Sequence, residues 1–314
     1  MFHLHGGAHI LGTSNSKTMG PRYLLNHDIV LVTINYRLGV FGLAATDNGD
    51  ATGNYLFKDV IMALKWVRDN IKSFGGNPEC VTVFGHSAGA LTSTTLLVSP
   101  MAKGLVHRII GMGGSSTGHH HLESKYWTTK MAQDLGCGAA SNIIECMRKV
   151  PWETIREVGT KWEMETLITY KYNFEVEKDF GQEMYLPAHP NDYFESGNFS
   201  RIPIMMGQTK NEFEILAAFL YYAENLKPIM NQVNRNFRQI APVLCHYNAN
   251  ASDANYIAKV LRKKYLNNKL VTDKNLRDLG KLLSDSFINH AVYRTVSLAR
   301  KFSNVYYYRL DYEN

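Results

Sequence analysis

The run Val81-Thr82-Val83-Phe84-Gly85-His86-Ser87-Ala88-Gly89-Ala90 joins an apolar β-branched stretch, the pattern G-x-S-x-G and the start of a small-residue helix. A serine in that setting sits on a tight strand-to-helix turn with its hydroxyl forced outward. Gly85 and Gly89 leave room for the turn to approach the neighbouring strand and helix. The helix beginning at Ala88 points unpaired N–H groups and its positive dipole end at charge developing on a bound molecule. The chemistry that follows is attack by Ser87 on a carbonyl. A free hydroxyl is a poor nucleophile, so it needs a neighbouring base, and the tetrahedral intermediate needs N–H donors around its oxyanion. The loop His5-Gly6-Gly7-Ala8 has backbone that can approach closely enough to supply such donors.

These residues need a scaffold, and the hydrophobic pattern predicts one. Asp28 to Arg37 reads as a strand buried on both faces. Asn54 to Phe74 has helical spacing, with Val60, Ile61, Leu64, Val67 and Ile71 on one side, and stops at Gly75-Gly76-Asn77-Pro78. Strand Val81–Phe84, the serine turn, helix Ala88–Val98 and strand-like His107–Met112 follow. Ile202–Gly207 and Val305–Leu310 are further strands, Glu123–Glu195 is helical and irregular, and 213–300 is mostly helical. Strand and helix in alternation imply an α/β fold with a mostly parallel central sheet flanked by helices, as one domain over residues 1–314. The acid that orients the base is expected at the end of a later strand. Glu212, in the exit loop Gln208-Thr-Lys-Asn-Glu212, fits that place, and Glu214 reads as a helix-start residue complementing the dipole.

Several blocks in order resemble the type-B carboxylesterase and cholinesterase family. They are His5-Gly6-Gly7-Ala8, Asn35-Tyr36-Arg37-Leu38-Gly39-Val40-Phe41-Gly42, Phe74-Gly75-Gly76-Asn77-Pro78, the Ser87 decapeptide, Gly207-Gln-Thr-Lys-Asn-Glu212 and Val305-Tyr-Tyr-Tyr-Arg-Leu-Asp311. The resemblance covers essentially the whole chain and implies an α/β-hydrolase fold, incomplete at both ends, and a serine carboxylic-ester hydrolase acting through an acyl-enzyme. It implies Ser87 as nucleophile, Glu212 as acid, and the N–H groups of Gly7, Ala8 and Ala88 as the oxyanion hole. It implies no metal or organic cofactor, and a small-molecule carboxylic ester as substrate. The sequence departs from the family pattern in several places: His9 stands where an aromatic is usual, His86 where an acid is frequent, Gly113 where a serine often helps hold the acid, and Lys58-Asp59-Val60 differs slightly from the usual run.

The third triad member is a histidine, in this family placed beyond the last strand in a Gly-x-x-His-Gly type of loop. No such motif occurs here. The chain therefore reads as an internal piece of a longer esterase, and residues 1–314 alone are expected to be inactive. The alternative is a non-catalytic, cholinesterase-like adhesion or binding protein; such proteins tend to have lost the nucleophile, which is kept here. Of twelve histidines, none is a clear substitute. His3 and His5 have H-x-H spacing without an evident third metal ligand, His119-His120-His121 reads as an exposed loop, His189 and His290 read as structural, and His86 is adjacent to Ser87 but diverges from it.

Composition narrows the partners. The net charge of +6 has its densest source between Lys259 and Lys281, where Ile257, Val260, Leu261 and Tyr265 mark an apolar helix side, so the basic residues read as a solvated face rather than a nucleic-acid module. No stretch is long and apolar enough for a membrane span, and no signal peptide opens the chain. Among four cysteines, Cys80 and Cys245 read as buried thiols, whereas the step from Cys137 to Cys146 can close as a disulfide, which implies an oxidising compartment. Sequons at Asn198 and Asn250 fit a secretory route.

Overall fold

Six strands form one sheet: β1 (Phe2–Leu4), β2 (Val32–Thr33), β3 (Thr82–His86), β4 (Arg108–Met112), β5 (Ile204–Thr209) and β6 (Val305–Leu310). All neighbouring pairs are parallel, in the order β2-β1-β3-β4-β5-β6. The computed structural model describes residues 1–17, 20–118, 123–165 and 171–312, so the histidine run 119–121 lies outside the described residues. Because the strands run in one direction, their C-terminal ends share one rim. The loops after β1, β3, β4 and β5 carry Gly7–Ala8, Ser87, Gly113–Gly114 and Glu212 to that rim.

The helical expectations hold closely where an apolar stripe meets the sheet. Tyr55–Asn70 is a helix continued by a 3-10 turn at Ile71–Phe74, and Val60, Ile61, Leu64, Val67 and Ile71 are all buried. Ala88–Thr95 is the helix after the serine, and its small residues bury nearly every position. The segment Asp28–Arg37 departs from expectation. Only Val32 and Thr33 pair, with β1 alone, and both are half-buried. In this sheet the segment lies at an edge, so it has one neighbour rather than two. β1 itself is a three-residue strand in the sheet interior, paired with β2 and β3.

Two apolar clusters fill the molecule. One lies on the sheet and its flanking helices; the other is built by helices between Leu216 and Leu283. Phe213 and Phe287 pack against both. In the second cluster, helix Ala254–Leu266 buries Ala254, Ala258 and Leu266, while Val260 is exposed. Of the expected apolar side, Leu261 and Tyr265 pack against this cluster and Val260 alone is exposed, while Arg262 lies partly inside, donating to the carbonyls of Val233 and Asn234. Cys137 and Cys146 form the expected disulfide. Cys80 is exposed, contrary to expectation, because it sits just before β3 on a turn where its N–H bonds Asn77 O and the Arg108 guanidinium approaches its sulfur.

A buried polar network fastens the irregular middle segment to the sheet. Asn54, in left-handed conformation at a helix start, donates to Glu175 O and Glu177 Oε1, and its Oδ1 accepts from Glu175 N–H. Lys58 Nζ lies 2.9 Å from Glu177 Oε2, and the Glu177 side chain is 0% exposed. Replacing Lys58 by Met strands a buried carboxylate and is expected to cost about 3 kcal/mol in urea unfolding; a loss under ~1 kcal/mol would show the ion pair to be dispensable.

Candidate active site

Ser87 occupies φ 56° and ψ −121°, a region a side chain enters only when its surroundings over-determine it. The strain costs on the order of 1–3 kcal/mol. Its N–H donates to Met112 O at 2.8 Å, and its carbonyl accepts the N–H groups of Ala90 and Leu91 at 2.9 and 3.0 Å. Two glycines make the turn sterically feasible. A Cβ on Gly85 would stand 2.4 Å from Gly89 C and O, and one on Gly89 would stand 2.1 Å from Leu4 O. The serine turn, the following helix and β1 therefore touch backbone to backbone, as the sequence pattern requires.

A small cavity of about 50 Å³ opens at Ser87. Ala8 and Ala88, two of the residues expected to supply donors, line it. Among the described residues, the N–H groups of Gly7, Ala8 and Ala88 have no backbone acceptor. Gly7 itself adopts φ 120°, and its carbonyl accepts from Ile10 and Leu11, which turns the loop tightly. Ala8 and His9 follow in left-handed conformation at φ 53° and 61°, each costing roughly 1–2 kcal/mol for a residue with a Cβ.

Glu212 arrives from the other side. Its Oε1 accepts the Thr209 N–H at 2.6 Å, which folds the acid back over the end of β5. A Cβ on Gly113 would lie 3.1 Å from both carboxylate oxygens, and one on Gly114 would lie 2.3 Å from Ser87 O. Gly113 and Gly114 thus bridge the acid to the nucleophile. Burial first, and the Glu212 charge second, hold the Tyr308 phenol above its ordinary range, which places β6 beside the same carboxylate. At Gly113, where the resemblance leads one to expect a serine, the space facing Glu212 is that of a bare Cα.

The remaining wall was not legible in the sequence. Leu91, Ser115, Tyr172, Asn173, Phe287 and Ile288 line the cavity. Phe287 and Ile288 come from a π-helical turn, Asp285–Asn289, inside an otherwise α-helical run, a local irregularity that often marks functional sites. No sequence period announces such a turn. The other expected residues are dispersed. His3 packs on Phe84, His5 stacks on Tyr36, and His189 caps the helix Pro190–Ser196. Asn198 and Asn250 are exposed. Among the described residues no cluster of metal-ligating side chains forms, and no helix is long and apolar enough to cross a membrane.

Burial pushes His9 down to about 4, opposed by its bond to Ala88 O and aided by nearby His5. An unfolded histidine titrates near ~6.5, so between those values the unfolded chain binds the extra proton. Stability is therefore full above pH ~6.5 and is lost as pH falls toward about 4, by roughly 3 kcal/mol from this residue. His3, His189 and His290 are shifted in the same direction, chiefly by burial. Urea midpoints are expected to fall steadily across that window and less steeply in His9→Phe; equal slopes would contradict the assignment.

A model of the carboxylesterase family matches residues 1–314. Esterase E4 of Myzus persicae is 33% identical over 323 residues, covering 99% of this chain and 56% of its own length. Juvenile hormone esterase of Tribolium castaneum is 30% identical over 332 residues, covering 100% of this chain and 56% of its own length. The crystal structure of juvenile hormone esterase from Manduca sexta, with OTFP covalently attached, matches with a TM-score of 0.87 at 26% identity, over 100% of this chain and 59% of that one. The chain thus spans little more than half the length of these relatives. With an all-parallel sheet, a strained serine turn and these likenesses over its full extent, the chain belongs to the carboxylesterase family of α/β-hydrolase serine esterases.

Proposed function

We propose that Ser87 is the nucleophile of a carboxylic-ester hydrolase, oriented through a base by Glu212, with Gly7, Ala8 and Ala88 as oxyanion donors. One observation carries this reading: Ser87, in a strained turn, faces a cavity shared with Ala8 and Ala88, while Glu212 meets it through Gly113 and Gly114. In that arrangement Ser87 Oγ attacks the ester carbonyl as its proton passes to a base. The oxyanion draws on the three N–H groups, the alcohol departs with the proton, and water repeats the sequence on the acyl-enzyme. The substrate is a small carboxylic ester. The disulfide and two exposed sequon asparagines support passage through an oxidising, secretory compartment. Phe213 and Phe287, packed against both apolar clusters, support treating residues 1–314 as one domain.

No base is seated at Ser87 among the described residues. Among the described residues no histidine hydrogen-bonds to Ser87 Oγ or Glu212, and His9 Nε2 is engaged with Ala88 O and Thr92 Oγ1. Residues 1–314 alone are therefore expected to turn over a p-nitrophenyl ester no faster than Ser87→Ala. Free imidazole should supply the base from solution. Fluorophosphonate labelling, mapped by mass spectrometry, is expected at Ser87 in the presence of imidazole, at least ~10-fold faster than without it. Labelling that never reaches Ser87 would sink the nucleophile assignment and favour a binding protein. Rapid turnover without imidazole would sink the missing base.

A further inference from the structure

His9 stands in the middle of the oxyanion loop, at a position where the family resemblance leads one to expect an aromatic residue. It is 4% exposed. Its Nε2 lies 3.1 Å from Ala88 O and 2.9 Å from Thr92 Oγ1. Thr92 Oγ1 itself donates to Ala88 O at 3.0 Å. A carbonyl oxygen only accepts, so Nε2 carries the proton and shares it between the two oxygens. On the loop side, His9 O accepts the Gly39 N–H at 2.7 Å, and the ring meets Phe57 edge-on at 5.5 Å. Ala8 and His9 are consecutive left-handed residues, so something must hold them there. The groups the ring bonds, Ala88 and Thr92, belong to the first turn and a half of the helix that follows Ser87.

We propose that His9 is a positioning residue: its Nε2–H pins the loop that carries the Gly7 and Ala8 N–H groups onto the helix that carries the Ala88 N–H. One side-chain bond then fixes the relative placement of all three donors, which come from segments 79 residues apart. Donors held in advance cost nothing to reorganise when charge develops, which is where such groups gain their effect. The catalytic meaning of this clamp rests on the reading of Ser87 and Gly7–Ala8 given above; the clamp itself does not.

The test uses the whole 314-residue chain and needs no turnover. Imidazole 15N spectra at neutral pH are expected to show His9 as the neutral Nε2–H tautomer. Amide exchange over residues 7–11 is expected to quicken about tenfold in His9→Phe, which keeps a ring and loses the donor, and to return near the original rate in His9→Gln, which restores an N–H. Thr92→Val, which keeps the shape and removes one acceptor, reads the same bond should His9→Phe fail to fold, and a smaller acceleration is expected there. A His9 proton on Nδ1, unchanged exchange in His9→Phe and Thr92→Val, or equal acceleration in the Phe and Gln variants would overturn the clamp. Imidazole-assisted labelling of Ser87 is expected to slow in His9→Phe and recover in His9→Gln. Absent labelling in every variant would count against the nucleophile, whereas a clamp failure shows in exchange and tautomer whatever Ser87 does.

Discussion

Everything at this site depends on how near the helix after Ser87 can come to the sheet. The limiting contact is backbone against backbone: the Gly89 Cα lies against Leu4 O, and Gly85 lies against Gly89. No side chain fits between them, so the spacing is set by peptide groups, which do not compress. That spacing brings the end of β1 beside the helix start and lets two unconnected segments border one cavity. It also forces Ser87 into its unusual dihedrals, since the turn has no room for a relaxed path. The strained serine is a consequence of the close approach, and the many backbone bonds around it hold the strain in place.

How much of this could be read from the chain follows the range of the interactions. The serine turn is local: its glycines, its apolar strand and its small-residue helix lie within ten positions, and all three are where the pattern places them. The strand Val305–Leu310 is bounded as the sequence reading has it, because a β-branched residue and three consecutive tyrosines strongly favour extended backbone. Glu212 is legible as an acid after a strand, yet its contact with Gly113 depends on β4 and β5 being neighbours, which no spacing shows. Asp28–Arg37 is misleading because an apolar run records burial and says nothing of the number of strand partners. Val260 fails to follow the rest of its expected apolar side because it lies at the margin of the face that Ala258, Leu261 and Tyr265 turn to the second cluster. Tyr172, Asn173, Phe287 and Ile288 carried no local signal at all, since an apolar or polar wall residue looks like any other until the fold assembles it.

The charged groups divide in the same way. Most ion pairs here are exposed, such as Arg68–Asp69 and Arg148–Glu145, and add little to stability. The Lys58–Glu177 pair is different because the Asn54 amide and the Tyr185 N–H satisfy the remaining carboxylate valences. A buried charge so completely bonded acts as a latch with one fitting geometry, and it is the middle segment that it latches.

That latch has a companion at the other end of the excursion. Ser124 Oγ donates to Asn173 O and accepts from Asn173 N–H, while Ser124 N–H donates to Glu175 Oε1. The two ends of this excursion therefore meet at one bonded neck, and the Tyr172–Asn173 stretch of the cavity wall sits there. The excursion is also anchored between its ends, where Met131, Ala132, Cys137, Met147 and Ile155 are buried in the main apolar cluster. The wall that this segment delivers is thus held in register with the serine both by the bonded neck and by the core packing behind it.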